Sequence, residues 1–277
     1  MAVLPAFKDG VTVLREHPVI LLAGLLFALV GQVTSAGEVV DSWIVSALGV
    51  VVAFLIGPFF LGGLIGMALE ALEGSKPTLG LFVESGTRFY VSLLGATVLL
   101  TGLFFVLVFV GTLVGVVSVF AGFAATGAES GAAGLLGVGI GLLVFLGVFL
   151  VAFVAFLFLQ FFNTAIVVDG ERAIDSFSRS VSLVRANLRS VIGYSLLWIA
   201  VWTVAFAPII GLELVLVEPG LADGVQFDRT VAQAVTIGLA VLVTGIGYAY
   251  LYAVHTSYYT RLGSADGGAD GARSANA

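Results

Sequence analysis

From Phe89 to Phe123 the chain runs without a single charged side chain, dominated by Leu, Val, Phe and Gly. A helix needs about 20 such residues to cross the hydrocarbon core of a bilayer, so this run alone places the chain in a membrane. Comparable runs recur along its length. They predict six spans, at about 19–36, 43–69, 89–118, 135–166, 190–212 and 231–252. Mean hydropathy is +1.17, and a soluble core this apolar would leave too few polar residues to cover its own surface. The expected fold class is all-α: a polytopic six-helix transmembrane bundle with amphipathic helices lying in the cytoplasmic interface. Residues 1–262 should form one integral membrane domain, and the Gly-, Ala-, Ser- and Asp-rich residues 263–277 a disordered cytoplasmic tail.

Two amphipathic segments precede spans. Phe7, Val11 and Leu14 fall at helical spacing ahead of the first span, and Pro18 suits the first turn of the helix that follows. A cleaved signal peptide is the rival reading of this region, opposed by the length and mixed charge of the segment before the apolar run. The second segment occupies about 170–188. There Ile174, Phe177, Val181, Val184 and Leu188 share one face, with Arg172, Asp175, Arg179 and Ser182 opposite. Asp169 is its expected N-cap, and Asp175 and Arg179 its expected i, i+4 ion pair.

Charge orients the bundle. With six spans, Lys8, Arg15, Lys76, Arg88, Arg172, Arg179, Arg185, Arg189, Arg261 and Arg273 lie on one side and only Arg229 on the other. The positive-inside rule then puts both termini in the cytoplasm, in the cell membrane. Arg15, Arg88, Arg172, Arg179, Arg185 and Arg189 become candidates for contact with anionic headgroups. The same scatter of basic residues disfavours nucleic acid as a partner, and membrane lipids are the expected partners. An acidic chain of net charge −6, with Lys8 and Lys76 its only lysines, is similar in composition to proteins of salt-loving archaea.

The two amphipathic segments echo each other. Phe7, Val11 and Arg15 align with Phe177, Val181 and Arg185, and Phe82 to Phe89 occupies the corresponding place before the third span. The simplest account is three units, each an interfacial helix followed by a transmembrane hairpin.

Two motifs carry a family resemblance. Gly57-Pro58-Phe59-Phe60-Leu61-Gly62-Gly63 leads through Leu72-Glu73-Gly74-Ser75-Lys76-Pro77 to Leu81-Phe82. Val167-Val168-Asp169-Gly170 leads through Ala173-Ile174, Ser176-Phe177 and Arg179-Ser180 to Leu183-Val184-Arg185-Ala186-Asn187. Both resemble a broad group of six-span proteins that includes the membrane domain found beside glycerophosphodiester phosphodiesterases. The resemblance implies a fold and a membrane home, and the phosphodiesterase barrel itself is absent.

Chemistry is sparse. There is no cysteine, hence no disulfide, thiolate metal site or cysteine nucleophile. His17 and His255 are the only histidines, and no HExxH, Walker A or Gly-x-Ser-x-Gly motif occurs. No enzymatic activity, metal or cofactor is therefore expected. His255 reads as an interfacial polar residue, and Tyr248, Tyr250, Tyr252, Tyr258 and Tyr259 as an aromatic belt at the membrane surface. Gln160, Asn163 and Glu213 are the candidate polar groups within the membrane, the amides as bonds to neighbouring helices and Glu213 at the outer interface. Pro58 and Pro208 are the candidate kinks, able to break two helices around a cavity. Two functions follow: a non-enzymatic protein acting through lipid interaction, assembly or scaffolding, or a carrier for a small or lipidic solute. A carrier requires a polar or hydrated cavity, and a wholly apolar packed bundle would count against it.

Overall fold

The computed structural model describes the backbone of residues 2–35, 42–126, 131–217 and 229–274, and every regular element among them is helical. In chain order these are α1 (Val3–Glu16), α2 (Val19–Gln32) with a 3-10 turn (Val33–Ser35), α3 (Trp43–Leu72) and α4 (Leu79–Thr126). Then come α5 (Gly131–Leu159), α6 (Phe162–Val168), α7 (Ala173–Ala186), α8 (Leu188–Val217) and α9 (Arg229–Ser274).

Five stretches are long and apolar enough to cross a membrane: α3, α4, α5 with α6, α8 and α9. A sixth appears if α1 and α2, bent by 99° at the break between them, count as one. The expected first span is the short one. At rises of about 1.5 and 2.0 Å, α2 and its 3-10 turn extend roughly 27 Å, just under a core of about 30 Å. The bend has a local cause. Proline disfavours the helical region for the residue before it, and His17 sits at φ −128°, ψ 69°, while Pro18 at φ −62° opens α2.

Both expected kink prolines lie inside helices that continue through them, Pro58 in α3 and Pro208 in α8. Pro58 leaves the Phe54 carbonyl without its helical donor, and the Tyr90 hydroxyl donates to the adjacent Leu55 carbonyl at 3.0 Å. The chain breaks instead at Gln160-Phe161, inside the expected fourth span and without a proline.

The third span also differs. No break separates an interfacial segment from it: α4 starts at a Thr78 cap, whose Oγ1 accepts from the Leu81 N–H at 3.1 Å, and runs unbroken to Thr126. At about 1.5 Å per residue that is roughly 72 Å, more than twice the hydrocarbon thickness. The last helix continues to Ser274 where a disordered tail was expected from 263, because extending a packed helix avoids the cost of nucleation. Residues 275–277, and the side chains of Glu213 and Arg229, lie outside the described residues.

The packed core gathers at one end of the bundle, where α1, the start of α4, α6, α7 and the later turns of α9 meet. Away from it, α4 and α5 pair mainly with each other and expose their apolar faces; Phe105 is 68% and Phe120 70% exposed. Water would not tolerate a surface of that extent, and lipid would.

Three contacts at the packed end repeat. Gly10 of α1 faces Tyr250 and Val254 of α9. Ser85 of α4 faces Gly62 and Gly66 of α3, and Ser180 of α7 bonds the backbone at Phe158 and Phe161. Each small residue stands three positions after a phenylalanine, Phe7, Phe82 or Phe177. The buried stripes of α1 (Ala6, Phe7, Gly10, Val13) and α7 (Ser176, Ser180, Leu183, Val184) nearly superimpose in that alignment. Two of the facing helices also end alike. Gly74 and Gly170 adopt φ of +83° and +72°, and the next residues, Ser75 and Glu171, donate back to the carbonyls of Glu70 and Ala165.

α7 buries Leu183 and Val184 of its apolar residues together with two serines. Ile174 is 69% exposed, while Ser176 and Ser180 are fully buried. The serines allow close approach and place their hydroxyls on backbone carbonyls, a burial that an apolar periodicity cannot reveal.

Candidate functional site

The site is built on the break between α5 and α6. Interrupting a helix in an apolar setting frees backbone groups that must find partners. Side chains from three other helices and from the break itself supply them. Ser180 of α7 donates to the Phe158 carbonyl at 2.8 Å and accepts from the Phe161 N–H at 3.1 Å. Gln160 turns back, its Nε2 donating to the Leu157 carbonyl at 2.9 Å, while its amide pairs with Ser195 of α8. Asn163 Oδ1 accepts from the Thr164 N–H at 2.8 Å as the helix resumes.

His255 of α9 completes the set. Its Nε2 meets the Gln160 carbonyl at 3.2 Å and its Nδ1 meets the Tyr194 hydroxyl at 2.7 Å. A carbonyl only accepts, so Nε2 carries the proton, and in the neutral ring Nδ1 accepts from the tyrosine. Phe161 stacks on this imidazole at 4.8 Å. His255 is thus a buried strut, not the interfacial residue expected. The tyrosine belt is likewise internal at its C-terminal end, with Tyr258 and Tyr259 0% and 1% exposed and Tyr258 stacked on Tyr194 at 4.2 Å. Tyrosine suits an interface or a core with polar partners equally well, and here the partners are Ser190 and Asp169.

Beside the break lies a partly enclosed cavity of about 340 Å³. Phe153, Phe156, Trp198 and Trp202 give it an apolar body, while Gln160, Asn163, Ser195 and His255 gather polar atoms around the break. No charged side chain lines it. Gln160 and Asn163, singled out from the sequence, therefore meet here, whereas the kink prolines do not contribute.

Two carboxylates clamp the surrounding helices. Asp169, expected as a cap, instead accepts from Arg179 Nε at 2.9 Å and from the Tyr259 hydroxyl, tying α7 to α9. The hydrogen bond to Asp169 holds the Arg179 guanidinium above its ordinary value, and Asp175 is not its partner. Asp9 does the same for α1, accepting from Arg261 Nη2 at 2.7 Å and from the Ser257 hydroxyl. Arg15, Arg88, Arg172, Arg185 and Arg189 remain exposed on elements of this same end. Arg88 lies over the Phe89 ring at 5.2 Å.

Sequence reasoning missed the His255–Tyr194 pair and the break. The signal available was Gln160-Phe161-Phe162-Asn163, two amides bracketing two phenylalanines within an apolar run. Among the described residues no three His, Asp or Glu side chains approach closely enough to share a metal ion.

Residues 1–262, which include every helix that contributes to the cavity, match one protein family. The chain belongs to the DUF7847 family. That family is described as a domain of unknown function. No curated protein and no solved structure matches the chain. The helix break, the cavity and both carboxylate clamps all fall within the DUF7847 domain.

Proposed function

We propose that this DUF7847 protein is a multi-pass protein of the cell membrane that holds a lipidic molecule in the cavity beside the α5–α6 break. The observation that carries the reading is the cavity's make-up: about 340 Å³, aromatic-walled, and polar at one end. Sites for small amphiphiles have that size and that division between apolar walls and a few oriented polar groups. Its role is binding, without catalysis. Both termini face the cytoplasm, a reading supported by ten basic residues in one set of loops against Arg229 in the other. A reporter fused at Ala277 and found outside would overturn that orientation. The repeated seating of Gly10, Ser85 and Ser180 supports three units, each interfacial segment resting on the second span of the unit before it, with the first closing on the last.

Native mass spectrometry of the purified protein tests the binding. Wild type should carry one amphiphile per chain. The double variant Thr97→Trp with Leu100→Trp fills the cavity from α4, where Thr97 bonds only its own helix, so the fold should persist and the adduct should vanish. An undiminished adduct in the folded variant would refute the site.

A carrier is the second reading, favoured by the helix break itself, since interrupted helices at a binding cavity are the signature of alternating access. Faster transbilayer movement of a fluorescent lipid in proteoliposomes than in empty liposomes would support it. Binding without such movement leaves the protein a lipid receptor.

A further inference from the structure

Resting on the cavity as a lipid site, we infer that its ligand is an uncharged lipid whose head presents a carbonyl-type hydrogen-bond acceptor to the donors left unpaired around it, Asn163 Nδ2 or Trp202 Nε1 among them.

Most polar atoms at the cavity are already engaged. Gln160 and Ser195 bond each other, both His255 nitrogens are occupied, and the Thr97 hydroxyl donates to the Leu93 carbonyl. Asn163 is 7% exposed, and its Oδ1 is taken by the N–H and the hydroxyl of Thr164. Both Thr164 groups are donors there, so the oxygen must face them and the amide orientation is fixed. Its Nδ2, with two N–H bonds, makes no hydrogen bond among the described residues. The Trp202 indole Nε1 is buried and also lacks a partner. An indole N–H can only donate. The Tyr248 and Tyr252 hydroxyls at the same cavity make no hydrogen bond among the described residues either, and they can donate as well.

The site therefore has a surplus of donors. Leaving such groups unpaired in an apolar interior costs folding free energy, which a bound acceptor would offset. No lysine, arginine or carboxylate lines the cavity, so a charged head would enter without a counter-charge. An ester, ketone or quinone oxygen satisfies both conditions, and the aromatic walls take its hydrocarbon.

The test uses the full chain in nanodiscs, titrated calorimetrically with dioctanoylglycerol, a decyl-substituted benzoquinone, decane and decanoate. One or both carbonyl probes should bind more tightly than decane and decanoate, and whichever binds identifies the source as glyceride or quinone. Trp202→Phe keeps the ring against Phe206 and Tyr248 but removes the N–H. Asn163→Asp keeps the oxygen that Thr164 needs and removes the donors. Each should lower the preference for the carbonyl probe over decane by about three- to ten-fold. Equal binding of decane and the carbonyl probes, or wild-type affinity in folded Trp202→Phe, overturns the donor role while leaving the cavity a lipid site. Preference for decanoate overturns the neutrality of the ligand. Failure of every probe to bind overturns this inference together with the binding reading on which it rests.

Discussion

Replacing Ser180 with alanine removes one hydroxyl and strands two backbone groups. The side chain is fully buried, donates to the Phe158 carbonyl and accepts from the Phe161 N–H, and among the described residues no other partner serves either group. A buried backbone group left unpaired costs about 1–3 kcal/mol, so the pair sets the loss at about 2–6 kcal/mol. Water drawn in from the neighbouring cavity would bring the value toward the lower bound. At about 2–4 °C per kcal/mol for a chain approaching this size, the thermal midpoint in detergent should fall by at least about 4 °C. Ser178→Ala is the control, because Ser178 sits on the exposed side of the same helix. Its midpoint should move by less than about 1 °C. Equal midpoints for the two variants would refute the claim that Ser180 stabilises the α5–α6 break.

Gly10→Ala places a Cβ 2.5 Å from Val254 Cγ2 and 3.0 Å from the Tyr250 ring, so it should destabilise by about 1–3 kcal/mol, read by denaturant unfolding in micelles. A double-mutant cycle with Arg179→Gln and Asp169→Asn should give a coupling of about 0.2–1 kcal/mol, since the side chains are 35% and 28% exposed. Strict additivity would show the clamp to be idle. Replacing Arg172, Arg185 and Arg189 together by glutamine should lower the preference of the protein for phosphatidylglycerol over phosphatidylcholine. High salt should erase the same preference in wild type.

Much of this was legible in the sequence, for identifiable reasons. Uninterrupted hydropathy reveals spans, because each crossing needs about 20 apolar residues. Gln160 and Asn163 stood out because amides are rare in such company. The break between them did not, since it is held open by Ser180 and His255, 19 and 95 residues away in sequence, and local propensity carries no trace of partners so distant. The burial of Ser176 and Ser180 on α7 was not legible, because they count as polar in any periodicity yet pack as small residues with their hydroxyls satisfied. Asp169 was misjudged because its partners, Arg179 and Tyr259, arrive from α7 and α9.

The central claim is that the cavity beside the break is a lipid site. An experimental structure of the protein in lipid nanodiscs, at a resolution that separates side chains from ligand, tests it most directly. Elongated density is expected between Phe153, Trp198 and Trp202, ending within hydrogen-bond distance of Asn163 Nδ2 or Trp202 Nε1. A cavity closed by inward movement of those aromatic rings, with no density between them, would contradict it.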